Sequence, residues 1–127
     1  MSRLLVVDDE ANIRLLYSEE LQDEGYEVVT AASSAEAIEK LQSGAFDLAV
    51  LDIKLKNESG IELLQKLVKE RHDMPVILCS AFSCYKDDFS AWLADGYVVK
   101  SGDLTELKQE IVRVLAKKAS KVKAGAK

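Results

Sequence analysis

Three carboxylates, one hydroxyl and one ammonium each follow a short apolar run. Asp8-Asp9 follows Leu4–Val7, with Glu10 next in the chain, and Asp52 follows Leu48–Leu51. Ser80-Ala81 comes just after Val76–Leu78 and Cys79, and Lys100-Ser101 follows Tyr97–Val99. Adjacent carboxylates about 4 Å apart repel by roughly 4 kcal/mol at an effective dielectric near 20. Acids gathered so closely persist when a cation balances them or one keeps its proton. An all-oxygen donor set favours a hard ion, and Mg2+ fits it best. Other reactive residue types offer less. Cys79 and Cys84 lack a CxxC spacing and a nearby histidine, so they form neither a zinc site nor a redox motif. The lone His72 follows Arg71 in a polar stretch and reads as a solvated loop residue.

The elements that must carry these groups follow from the apolar pattern. Five short runs, Leu4–Val7, Tyr26–Val29, Leu48–Leu51, Val76–Leu78 and Tyr97–Val99, are mostly continuous, as in strands covered on both faces. Helical spacing lies between them. Ile13, Leu16 and Leu21 carry the first helix. Ala35, Ile38 and Leu41 carry the second, with Ser33 or Ser34 as its N-cap and Gly44 past its end. Ile61, Leu64, Leu67 and Val68 carry the third, entered through Asn57-Glu58-Ser59-Gly60. Tyr85, Phe89 and Trp92 give residues 83–94 an aromatic stripe. Leu104, Leu107, Ile111, Val114 and Leu115 carry the last, capped by Asp103 with Glu106 three residues on. Strand and helix alternate five times, which predicts a doubly wound α/β domain with a parallel sheet. Ligands of such sheets sit beyond the carboxyl ends of the strands. That rule brings Asp8, Asp9, Asp52, Ser80 and Lys100 to one edge.

Composition narrows the function classes. A chain of 127 residues, 48% hydrophobic, supplies one core. Six glycines and one proline exclude collagen-like and low-complexity chains. No apolar run approaches the roughly 18 residues of a membrane span. The N-terminus meets acid after four apolar residues, too soon for a signal peptide, so the expected location is cytoplasmic. Five lysines and no acid fall within 117–127, leaving a body more acidic than the net −5 of the whole chain. An acidic body argues against nucleic-acid binding. The expected layout is a domain over 2–118 and a flexible Lys-rich tail over 119–127.

These residues in this order resemble the receiver domain of response regulators, the CheY-like phosphoacceptors of two-component and phosphorelay signalling. The resemblance covers essentially residues 2–118. It rests on Asp8-Asp9, Asp52, Ser80-Ala81 and Lys100, with Tyr97 at the aromatic switch position and Gly60 at the loop glycine. The stretch from Asp8 to Arg14 is especially typical. The resemblance implies a flavodoxin-like (βα)5 three-layer sandwich with strand order 2-1-3-4-5. It implies that Asp52 accepts a phosphoryl group from a histidine kinase or histidine phosphotransfer protein. Asp9 and Asp52 should ligate Mg2+, joined by the backbone carbonyl of Lys54, and Asp8 should act through water. Ser80 and Lys100 should bind the phosphoryl oxygens, helped by backbone N–H groups near Lys54 and Ala81. Ser80 and Tyr97 should switch a partner-binding face formed by the fourth helix, fifth strand and fifth helix. No membrane or nucleic-acid partner is implied, and no catalysis beyond self-phosphorylation and autodephosphorylation.

The chain departs from the family at several places. Ser101 replaces the proline that usually follows the lysine, so that bond is either trans with a shifted lysine or a strained cis bond. Lys56 stands where the loop often carries proline. Lys54 places a long cation at the mouth of the site, either slowing water's access or simply solvated. The interval from Ser80 to Lys100 is about two residues short, and Leu93 replaces a helix-ending glycine. The aromatic stripe is either core or a docking face. Two rivals follow: a degenerate receiver that works unphosphorylated, and a Mg2+-dependent phosphatase with an aspartyl nucleophile. The second lacks its usual acid two residues on, where Lys54 stands. A nucleotide site lacks GxxxxGK and GxGxxG.

Overall fold

The structure is a computed structural model, and it describes residues 2–55, 58–70, 74–80, 94–99 and 104–125. Its elements in chain order are β1 (Arg3–Val7), α1 (Ala11–Asp23), β2 (Glu27–Ala31), α2 (Ser34–Ser43), β3 (Leu48–Asp52), β4 (Lys54–Leu55), β5 (Glu58–Ser59), α3 (Gly60–Glu70), β6 (Val76–Ser80), β7 (Gly96–Val99) and α4 (Thr105–Gly125). The main sheet is parallel throughout, in the order β2-β1-β3-β6-β7. Taking its five strands in turn, that is the 2-1-3-4-5 order, as expected. The short pair β4–β5 is antiparallel and separate.

The sheet divides two apolar layers, and strand alternation assigns residues to them. Leu5, Val7, Ala49, Leu51 and Leu78 face α2 and α3, meeting Ala37, Leu41, Leu63, Leu64 and Leu67. Leu4, Val6, Val50, Ile77, Cys79 and Val98 face α1 and α4, meeting Tyr17, Leu21, Leu107, Ile111 and Val114. β3 is buried along its whole length, which explains why its sequence is a continuous apolar run rather than an alternation.

Local chemistry sets the helix ends. The Ser33 hydroxyl accepts the Glu36 N–H at 3.2 Å, and the Glu36 carboxylate accepts the Ala32 N–H at 3.2 Å. α1 stops at Gly25, whose φ of 94° suits glycine; its N–H donates to Gln22 and that of Tyr26 to Leu21, a Schellman closure. Gly44 ends α2 in extended backbone instead. α4 does not stop at 118. It runs through residues 119–125, which the sequence reading gives to a flexible tail. Lysine and alanine are strong helix formers, and no glycine or proline interrupts them before Gly125. Among the described residues no helix is long and apolar enough to cross a membrane. The helix expected over 83–94, Lys56, His72, Cys84 and the cap Asp103 lie outside the described residues.

Candidate functional site

The site forms where β1 and β3, side by side in the sheet, both end in acid. Val6 and Val50 lie on the α1 and α4 side, so alternation carries Asp8 and Asp52 to that same side. Asp8 extends the ladder by donating its N–H to Ala31 at 3.1 Å. One ligand oxygen from each of Asp8, Asp9 and Asp52 lies within 4.8 Å of the others. Asp8 and Asp52 are buried, and Asp9 is half-buried. Three carboxylates so close, two of them shielded from water, form an oxygen donor set suited to a hard divalent ion. The residues present therefore fit Mg2+.

The backbone around the cluster is tightly held. Glu10 donates its N–H to the Asp8 carboxylate at 2.9 Å, and the Arg14 guanidinium donates to the Asp8 carbonyl at 2.7 Å. On the other strand, Ile53 donates its N–H to the Cys79 carbonyl at 3.0 Å, so β6 braces the residue after Asp52. Gly60 then donates to the Ile53 carbonyl at 2.7 Å. A Cβ at Gly60 would collide with the Asp52 carbonyl, so α3 can start this close to the acid only through glycine.

Tyr17 is buried on the inner side of α1, in the layer that Asp8 and Asp52 face. Burial pushes its hydroxyl well above the ordinary 10.0, and the negative surroundings of Cys79, Asp8 and Asp52 push the same way. The sequence reading missed both Tyr17 and Arg14. Their signal was their place on α1: Tyr17 falls between the helix's apolar positions Ile13 and Leu21, and Arg14 is one turn into the helix, within reach of the turn before it.

The other expected site residues fall as follows. Lys54 begins β4, two residues after Asp52. Ser80 is the last residue of β6 and pairs with Val99. Tyr97 pairs with Leu78 and packs against the α2 and α3 layer, on the opposite side of the sheet from Asp52. Lys100, Ser101 and Ala81 lie outside the described residues, and so does the Lys100–Ser101 bond.

Residues 4–112 match the response regulator receiver domain family. The response regulator ArlR of Staphylococcus aureus (strain Mu50 / ATCC 700699) is 31% identical over 123 residues, which is 95% of this chain. This chain spans 56% of that relative's length, about half of it. Among solved structures, response regulator TrrA of Thermotoga maritima, in complex with Mg2+ and BeF, is 48% identical with a TM-score of 0.86, over 90% of this chain and 99% of that one. In a second structure, the histidine kinase ThkA is in complex with TrrA; the match there is 49% identical with a TM-score of 0.85, over 91% and 99%. A CheY-like receiver domain protein of Methanospirillum hungatei JF-1 is 32% identical with a TM-score of 0.89, over 95% and 98%. With the sheet order, the acids at the ends of β1 and β3, and a family match over most of its length, this chain belongs to the response regulator receiver domains of two-component signalling.

Proposed function

We propose that Asp52 is the phosphoacceptor of a Mg2+-dependent receiver, charged by a histidine kinase or a histidine phosphotransfer protein. The observation that carries this reading is the convergence of Asp8, Asp9 and Asp52 within 4.8 Å. TrrA, crystallised with Mg2+ and BeF and also with a histidine kinase, supports it by likeness.

In this reading an Asp52 carboxylate oxygen attacks phosphorus. An O–P bond forms, the bond to the donor breaks, and its electron pair leaves with the donor. The nucleophile is an anion approaching an anionic group, so charge is the obstacle. Asp9, Asp52 and the Lys54 carbonyl would hold Mg2+, with Asp8 acting through water, and the ion would supply positive charge that relieves this repulsion. Lys100 adds a second positive charge, and Ser80 donates a hydrogen bond to the new acyl phosphate with the backbone near Ala81. Ser80 and Tyr97 then bias the face around β7 and the helices beside it toward a downstream protein partner. The chain acts on itself, not on a released substrate.

Incubation with Mg2+ and acetyl phosphate, followed by intact mass, tests the reading. One added phosphoryl group on wild type and none on Asp52→Asn is the expected result. No addition on wild type, or addition on both, overturns it; the first outcome favours a receiver that works unphosphorylated.

A further inference from the structure

Several bonds hold Asp8. Its N–H donates to Ala31 at 3.1 Å, its carboxylate accepts the Glu10 N–H at 2.9 Å, and its carbonyl accepts the Arg14 guanidinium at 2.7 Å. The first belongs to the sheet ladder and the second to the turn itself. The third comes from a side chain outside the turn. α1 makes this hold matter. Its N-cap Glu10 offers no side-chain cap, and its first turn carries no acid. Side chains on a helix lean toward its N-terminus, so Arg14 reaches back over the first turn to the loop. Asp9 sits between two residues whose backbones are fixed: Asp8 by these bonds, and Glu10 by accepting the Arg14 N–H at 3.1 Å.

We propose that Arg14 is a positioning residue for the acidic cluster: its guanidinium, by holding the Asp8 carbonyl, sets the turn that aims Asp8 and Asp9 at a divalent cation. The inference rests on the cluster being the Mg2+ site of the proposed function. It has an electrostatic opposite. A guanidinium held on the backbone of the acidic turn also brings positive charge near the cluster, and removal of a competing cation tightens metal binding. Removal of a positioning group weakens it. Groups that orient metal ligands typically govern about tenfold or more in affinity.

The experiment is a calorimetric Mg2+ titration of wild type, Arg14→Met and Arg14→Lys, each well below its own melting temperature. Amide exchange at Asp9 and Glu10 is followed in the metal-free proteins. Arg14→Met binds Mg2+ about tenfold more weakly than wild type, and its Asp9 and Glu10 amides exchange faster. Arg14→Lys keeps a donor and recovers part of both. Equal or tighter Mg2+ binding by Arg14→Met, or unchanged exchange, overturns the inference while leaving the proposed function intact. Should Arg14→Met fail to fold, Arg14→Lys decides: weaker binding than wild type upholds the inference, and equal or tighter binding overturns it. A wild type that binds no Mg2+ overturns both.

Discussion

A methyl group at position 60 would run into the Asp52 carbonyl, with its next neighbour, the Ile53 Cα, at 3.0 Å. Both are backbone, so neither yields easily. Gly60→Ala is expected to destabilise the fold by about 1–3 kcal/mol in urea melts, the usual cost of overpacking, and to slow labelling by acetyl phosphate because Asp52 shifts with its carbonyl. Tyr17 gives a pH prediction. Its hydroxyl stays protonated in the fold at pH values where an unfolded tyrosine has lost its proton. Above about pH 10 the folded state therefore binds more protons than the unfolded one, and stability falls as pH rises, at up to about 1.4 kcal/mol per pH unit. Tyr17→Phe lacks this group, so urea midpoints measured at pH 9, 10 and 11 fall less steeply in that variant. The acids were legible from sequence because each ends a recognisable strand. Tyr17 and Arg14 were not. A tyrosine on a helix's inner face has the pattern of core, and only the fold reveals that its hydroxyl feels the negative charge of Asp8 and Asp52.

At the scale of elements, α2 carries its own N-terminal cap. Ser33 and Glu36 satisfy two backbone donors at its start. Ser33→Ala is expected to cost about 1 kcal/mol in chemical denaturation, with the labelling rate of Asp52 unchanged, because a lost cap weakens its own helix first. The strands and most helices were readable because burial on both sheet faces leaves continuous apolar runs, and one-sided burial of helices leaves a 3.6-residue period. Two elements escaped. The pair β4–β5, two residues each, is too short to carry any period. The end of α4 carries a charge run, and charge suggests solvent, yet solvent exposure and helicity are compatible in a Lys- and Ala-rich segment. Among the described side chains of α3 the buried leucines are Leu63, Leu64 and Leu67, so the expected face was right at Leu64 and Leu67 and lacked Leu63, while the side chains of Ile61 and Val68 lie outside the described ones.

For the whole molecule, the proposed Mg2+ site would link metal to stability. Three carboxylates brought together oppose folding until their charge is balanced, so a ligand of the folded state raises its stability by mass action. At a Mg2+ concentration about 100 times the Kd, the gain is about 2.7 kcal/mol. Thermal melts with and without Mg2+ check this. Wild type rises, and Asp9→Asn rises much less at the same concentration. The sheet itself adds a constraint on signalling. Tyr97 belongs to the α2 and α3 layer, while Asp52 belongs to the α1 and α4 layer. Between them stands a wall one strand thick, whose middle residues Ala49, Val50 and Leu51 are buried. In the proposed function, a change at Asp52 would therefore reach Tyr97 around the end of the sheet, where β3 and β6 finish, rather than through it.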